Sequence, residues 1–388
     1  MKPSLIGNEI PISTLWTTLA ASLLSLGWLL PNHSVPWTTF HSDAWMAVFL
    51  GVVGCVAVIR DSAPVRVYAS NLMTAAAILI PIFQFAGGQI PFFGQAFMAS
   101  LYLMGFLLAQ IAGQHWHQWK PTMLGDILFG AIGIASLVSV GLQLYQWLGL
   151  TSGSGMLDIW VIGFDGSRPA ANLGQANQLS TLLIWGLLAG AWGVWRKQLR
   201  GPFVALYIFI LLVGLALAQS RTALLCLLTL LISFSFWTPL GRQKKIRVGV
   251  VIAFVLYLSL LSLIPVLTQL LMLDGFSSMQ ARSASELRPA AWRMFLDAVV
   301  ERPWLGYGWD QAMSAHLAAG DRHPLVGHLF GQTHNLFLDL IVWCGVPLGA
   351  FFRFFPYRDC DCDREARDGN TPSTLLFAGR GSGYPCNA

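Results

Sequence analysis

GPFVALYIFILLVGLALAQSRTALLCLLTLLISFSFW, residues 201–237, is apolar almost from end to end and is interrupted only by Gln219-Ser220-Arg221-Thr222 near its middle. A helix crosses the hydrocarbon core of a bilayer with about 20 apolar residues. The stretch is nearly twice that, so it reads as two crossings with a polar break at one membrane face. The rest of the chain repeats the pattern. Of 388 residues, 55% are hydrophobic and only 11% are charged, with a mean hydropathy of +0.60. A soluble domain carries about 25% charged residues, so this inventory excludes a water-soluble enzyme, a secreted disulfide scaffold and a disordered chain. The fold class is all-α, a polytopic transmembrane helical bundle.

Runs that read as spans lie at 12–30, 44–59, 67–86, 96–112, 122–148, 178–195, 202–219, 222–238, 248–270 and 335–352, about ten crossings. With the N-terminus inside, every lysine (Lys2, Lys120, Lys197, Lys244 and Lys245) falls on the inner side. Arg60, Arg66, Arg196, Arg200, Arg242 and Arg247 join them, which is the positive-inside bias of short loops. The outer loops hold arginine without lysine: Arg168, Arg221, Arg282, Arg288, Arg293, Arg302 and Arg322. The first run reads as a retained span rather than a removed signal.

Two outer segments are long, about 149–177 and 271–334, and the second precedes the last span. Within it, Ala284 to Val300 has a helical apolar period. Arginine without lysine points to planar recognition of phosphate or carboxylate, and rim salt bridges to Asp297, Glu301, Asp310 and Asp321 are the plainer alternative. Cys55, Cys226 and Cys344 sit singly in apolar runs, and Cys360, Cys362 and Cys386 fall near the C-terminus, so spacing gives no disulfide or metal framework. Residues 1–352 form the membrane-embedded domain. Residues 353–388, beginning RFFPYRDCDCDREARD, shift abruptly to a charged, Gly/Pro-rich composition, and a lost reading frame accounts for this better than a native cytoplasmic tail.

Chemistry-bearing groups gather on the outer side. In GQTHNLFLDLIVWCGVPLG, residues 331–349, His334 stands at the mouth of the last span, where an imidazole can act as a general base. Capping the helix is its other reading. Arg221 opens a span, where a guanidinium and free backbone N–H groups together suit an anion; snorkelling to the interface is the alternative. In ELRPAAWRMFLDAVVERPWLGYGWDQ, residues 286–311, Arg288 and Trp292 lie one helical turn apart, Arg293 adjoins them, and PWLGYGW reads as a turn leading back to the membrane surface. The tryptophans suit interfacial anchoring or stacking on sugar faces. DGSRPAANLGQANQLSTLL, residues 165–183, adds Arg168, Asn172, Gln175, Asn177 and Gln178, and LPNHSVPWTTFHSDAW, residues 30–45, adds His33, Trp37, His41 and Asp43. Such amides bind carbohydrate hydroxyls or cap the following span. His316, His323 and His328 share no trustworthy zinc spacing. A base, phosphate-type donors and sugar-type amides on one face fit transfer of a glycan from a lipid diphosphate.

Over residues 1–352 the chain resembles bacterial O-antigen ligases, O-antigen polymerases and pilin-type O-oligosaccharyltransferases. The carriers are SRTA at 220–223, the loop with Arg288, Trp292 and PWLGYGW at 303–309, and THNLFLDLIVWCGVPLG at 333–349. NHSVPWTTFHSDAW and RPAANLGQANQLSTLL look most similar to the protein-glycosylating branch. The resemblance implies that His334 is the base activating an acceptor hydroxyl and that Arg221 and Arg288 hold the diphosphate of an undecaprenyl-linked glycan. Arg293 and Arg168 are neighbouring candidates, with Gln175, Asn177 and Trp292 as weaker glycan or acceptor contacts. It further implies an inner-membrane glycosyltransferase with a periplasmic active face, no metal or other cofactor, and no nucleic-acid partner. The acceptor is then a Ser or Thr of a periplasmic protein such as a pilin, with lipid A core or a growing O-antigen as rivals. Members of the branch continue with further spans, so an inactive truncated product is a third expectation. A transporter would show inverted repeats and mid-membrane charges, which the sequence lacks.

Overall fold

The computed structural model describes residues 12–31, 39–60, 67–151, 155–161, 168–237, 244–273, 287–327 and 329–354. Among these the regular structure is helical: α1 Ile12–Leu29, α2 Phe40–Arg60, α3 Ala69–Ala86, α4 Phe93–Trp119, α5 Met123–Trp147, α6 Ala176–Trp195, α7 Pro202–Ala218, α8 Arg221–Trp237, α9 Lys244–Leu270, α10 Arg288–Glu301, α11 Ala312–Ala319 and α12 Leu336–Phe354. The all-α expectation holds. Six helices (α2 to α6 and α9) are long and apolar enough to cross a membrane, while the helices at the other four expected spans are apolar but shorter. Two of the short ones, α7 and α8, share the stretch 201–237, parted at Gln219-Ser220 as the polar break requires. The shift in composition after residue 352 lies almost wholly outside the described residues.

Burial is inverted relative to a soluble protein. Large apolar side chains such as Phe83, Val58 and Ile59 face outward, while Ser136, Ser139, Gln143 and Gln146 of α5 are buried. Intramembrane polar groups are costly unless they find partners inside the protein.

The chain divides into two compact units, residues 1–52 with 116–285 and residues 53–115 with 286–388. In the first, α5 packs on α1, α6 and α7, and α9 packs on α7 and α8, around a core including Leu179, Leu183, Leu211, Leu215 and Tyr257. The buried glutamines of α5 tie down the irregular chain before α6. Gln143 Nε2 donates to the carbonyls of Pro169 (3.1 Å) and Gly214 (3.0 Å), and Gln146 Oε1 accepts from Ala171 N–H at 2.6 Å. At the far end of α6, Arg196 grips Asp126 through two bonds of 2.8 and 2.9 Å, a paired form that suits a guanidinium near a membrane.

In the second unit, α10, α11 and α12 share a core of Met294, Phe295, Ala298, Tyr307, Ala315 and Val342. α12 is not continuous: Gly345 sits at φ 78, ψ 167 and splits it into two halves. The break frees backbone groups that must be satisfied elsewhere. The turn 303–309 supplies them. Tyr307 and Gly308 N–H donate to the carbonyls of Val342 (2.8 Å) and Trp343 (3.0 Å), and Val346 N–H donates to Pro303 O at 2.8 Å. Gln84 Nε2 of α3 adds a second bond to Trp343 O at 2.8 Å. The glycines are obligatory here, because a Cβ at Gly306 or Gly345 would collide with the backbone of the facing segment. PWLGYGW is therefore the backbone complement of a broken helix, a role its composition does not announce.

Candidate active site

His334 occupies the mouth of α12 in a left-handed conformation, φ 56, and its side chain is exposed. Non-glycine residues seldom adopt that conformation unless the surroundings impose it, at a cost of about 1–3 kcal/mol. Both neighbours are fixed. The peptide of Thr333 is clamped at its two ends: its N–H donates to Asp339 Oδ1 (2.8 Å) and its carbonyl accepts from the Trp292 indole N–H (2.8 Å). On the other side Asn335 caps the helix, its Oδ1 accepting from Phe337 N–H (3.2 Å) and Leu338 N–H (3.5 Å). So the cap is Asn335, and His334 is free of the helix-capping duty that was its alternative reading.

Phe330 stands edge-on to the His334 ring at 6.1 Å and stacks on His316 at 6.3 Å. His316 is buried, and its Nδ1 accepts from Phe330 N–H at 3.4 Å; desolvation pushes its pKa below the ordinary value. Asp310, also at positive φ, is held above the ordinary carboxylate value by desolvation and by the neighbouring charge of Asp339. His323 pairs with Asp297 at 2.8 Å, and Arg322 pairs with Glu301, the rim bridge expected of an outer arginine. His328, Arg282, His33 and Trp37 lie outside the described residues.

Arg288 is the first residue of α10, half-buried, with Pro289 following and no side-chain cap from Leu287. Arg293 is exposed one turn on. Trp292 spends its indole N–H on Thr333, which makes it a support of the His334 mouth while part of its ring stays exposed.

In the other unit Arg221 is likewise the first residue of its helix, α8, and is exposed. Gln219 before it is left-handed, φ 47, and buried, held by bonds from its amide to the carbonyls of Ala216 (3.0 Å) and Leu261 (3.1 Å). Ser220 caps α8 by accepting from Ala223 N–H (3.3 Å) and donates to Asn177 Oδ1 (3.0 Å). Asn177 thus braces the break. Gln175 is exposed at the N-cap of α6, where its side chain makes no capping bond. Asn172 is a buried structural amide, accepting from Ser139 Oγ at 2.9 Å and donating to Trp28 O. Arg168 is half-buried ahead of it. Asp43 accepts from the Thr39 hydroxyl at 2.7 Å.

The sequence reading missed the Thr333 clamp, although a signal was present. Asp339 is an acid inside an apolar helix, and such a group is functional or partnered by default.

Comparison with known proteins bears on the same residues. Residues 206–352 match the family described as O-Antigen ligase. The chain is 29% identical over 347 residues to the General O-oligosaccharyltransferase of Acinetobacter baylyi, covering 86% of this chain and 59% of that protein. It is 28% identical over 286 residues to the ComP-specific O-oligosaccharyltransferase of the same bacterium, covering 70% of this chain and 49% of that protein. It thus spans 59% and 49% of the length of these two curated relatives. No solved structure matches. The stretch that matches the O-Antigen ligase family, residues 206–352, contains Arg221, Arg288 and His334, and the relatives that extend the likeness beyond it are O-oligosaccharyltransferases.

Proposed function

We propose that this protein transfers a preassembled glycan from undecaprenyl diphosphate to a Ser or Thr hydroxyl of a periplasmic, pilin-like protein, at the outer face of the bacterial inner membrane. The observation that carries the reading is His334: an exposed imidazole held in a strained conformation by a peptide clamp on one side and a helix cap on the other. In the reaction, His334 takes the proton of the acceptor hydroxyl as its oxygen attacks the anomeric carbon. The bond from that carbon to the phosphate oxygen breaks, and undecaprenyl diphosphate leaves. Arg221 and Arg288, each at the N-terminus of a helix, neutralise the charge gathering on the diphosphate, with Arg293 adjoining Arg288. Gln175, Arg168 and the open part of the Trp292 ring are the candidate glycan contacts.

A second reading, in line with a family described as O-Antigen ligase, keeps the same chemistry and takes lipid A core as the acceptor. One experiment separates the two and tests the site. Membranes containing the chain are given an undecaprenyl-diphosphate glycan with either a purified pilin-like acceptor or lipid A core, and the glycosylated product is measured. The protein acceptor is expected to be modified by the unaltered chain and not by His334→Ala, which stays in the membrane. Glycosylation retained in His334→Ala refutes the base, and modification of lipid A core alone refutes the protein acceptor. No transfer from either chain to either acceptor refutes the transfer reaction itself.

A further inference from the structure

Helix α10 has three faces. Ala291, Met294, Phe295, Ala298 and Val299 form the buried one. The exposed part divides into two ridges, each with four-residue spacing. One is polar: Arg293, Asp297 and Glu301. The other is apolar: Leu296 and Val300, 53% and 77% exposed, extended past the helix end by Trp304 and Leu305 at 75% and 67%. A continuous apolar ridge left open beside a polar one marks a surface that meets something other than water.

The level of this ridge in the fold says what it meets. Gly308, at φ 109, lies against the turn between α3 and α4, so close that a Cβ would come 3.1 Å from Gln89 O and 3.0 Å from the Ile90 side chain. Trp309 N–H donates to Gln84 Oε1 at 2.8 Å, two residues from the end of α3. Both α3 and α4 are long and apolar enough to span. The tight turn joining them therefore marks a membrane–water boundary, and the 303–309 turn sits level with it. No charge occurs between Arg302 and Asp310. Phe92 and Phe93 of the α3–α4 turn are exposed at the same level, and Val346 next to the break in α12 is exposed as well. Exposed apolar side chains thus occur on the ridge, on the α3–α4 turn and beside the break in α12.

We propose that α10 and the 303–309 turn lie on the bilayer surface, with Leu296, Val300, Trp304 and Leu305 immersed at the headgroup–acyl boundary and the Arg293–Asp297–Glu301 ridge in water. This is the arrangement of an interfacial amphipathic helix, with tryptophan at its preferred depth. It sets the helix that begins with Arg288, and that clamps Thr333 through Trp292, at headgroup level. The inference rests on membrane insertion and not on the transfer reaction, so it stands or falls separately from the proposed function.

The test uses the full chain with its six cysteines replaced by serine, reconstituted in liposomes. Single cysteines are placed at Leu296→Cys and Val300→Cys on the apolar ridge, and at Arg293→Cys and Asp297→Cys on the polar one. Each carries an environment-sensitive fluorophore and is read against lipids bearing a nitroxide near the top of the acyl chain, and separately against aqueous iodide. Label on the apolar ridge is expected to be quenched by the lipid nitroxide at least about twofold more than label on the polar ridge, with the order reversed for iodide. Equal quenching of both ridges by iodide overturns the proposal. Protection of the apolar ridge from both quenchers also overturns it, because a protein then covers the ridge. A second pair, Trp304→Cys against Asp321→Cys, repeats the comparison beyond the helix should either first pair fail to insert.

Discussion

The two helix mouths that hold the candidate chemistry are built alike and used differently. At Gln219-Ser220-Arg221 and at Thr333-His334-Asn335, a left-handed residue turns the chain and a Ser or Asn then caps the helix that follows. In the first mouth the strained residue is buried Gln219, anchored through its own side chain, and the exposed group is Arg221 on the first turn. In the second, the strained residue is itself the exposed group, and the anchoring falls to Thr333 and Asn335 on either side. Strain at Gln219 directs backbone: it presents a helix N-terminus with a cation on it, which suits an anion. Strain at His334 directs a side chain, which suits a proton transfer that tolerates little positional error.

If that division of labour is right, the mouths fail differently. The largest loss is expected from His334→Ala, about 10²–10⁴-fold in turnover, with donor binding little changed. Arg221→Ala is expected to cost about 10²–10³-fold, with Arg221→Lys recovering part of it because charge returns without the planar fork. A product-formation assay across donor concentrations checks both. A His334→Ala enzyme that keeps its turnover and loses only donor affinity would reverse the assignment of the two mouths.

Next in size is the clamp. Asp339→Ala leaves the Thr333 N–H without an acceptor in a buried position, a loss of about 1–3 kcal/mol. Asp339→Asn keeps an acceptor oxygen and should recover most of the activity. Slower turnover at unchanged donor affinity in Asp339→Ala, together with rescue by Asn, identifies a positioning role. Equal loss in both variants would mean that the charge matters and the clamp does not.

Much of this was legible in the sequence, for physical reasons that apply unevenly. The break at Gln219-Ser220 was readable because a run of apolar residues nearly twice a bilayer long has to turn, and its polar residues mark the place. His334 and Arg221 were readable as polar groups at span ends. The break in α12 was not: Gly345 and Pro347 hint at a stop, but the residues that satisfy the freed backbone, Pro303, Tyr307 and Gly308, lie far away along the chain. Pairing at that separation has no local signature. For the same reason the sequence left Trp292 open between sugar platform and interfacial anchor, and Asn177 between glycan amide and span cap, whereas the fold gives each a definite protein partner. Side-chain types reveal which chemistry is available, whereas the choice between bracing and binding is made by tertiary neighbours.

The capping serine offers a smaller test of the first mouth. Ser220→Ala removes the bond from Ala223 N–H and the bond to Asn177, at about 1 kcal/mol. It should weaken donor binding more than turnover, the reverse of Asp339→Ala. Donor titration of the two variants side by side makes the contrast; matching profiles would mean that the mouths are not specialised.

The smallest effect expected is a difference in acid sensitivity. The first mouth is built from amide, hydroxyl and guanidinium groups. The second leans on Phe330, which is stacked on buried His316 and donates its N–H to that ring. Burial lowers the His316 pKa from 6.5. Above that value the imidazole is neutral in both folded and unfolded chains and makes no difference to stability. As pH falls below 6.5, the unfolded chain takes up the proton and the folded one resists, so stability is lost progressively until the lowered folded pKa is reached. Asp310 acts in the opposite sense. Its raised pKa gives stability that is present at acid pH and lost as pH rises from the ordinary carboxylate range through the raised folded value. Acidification from pH 7.5 to 5.5 should therefore make the loop around α11 more open to protease, and His316→Asn, which keeps an acceptor but no titrating ring, should flatten the response. If His316→Asn follows the unaltered chain, His316 does not carry the acid response of this mouth, and the support of His334 by Phe330 is indifferent to protonation beneath it.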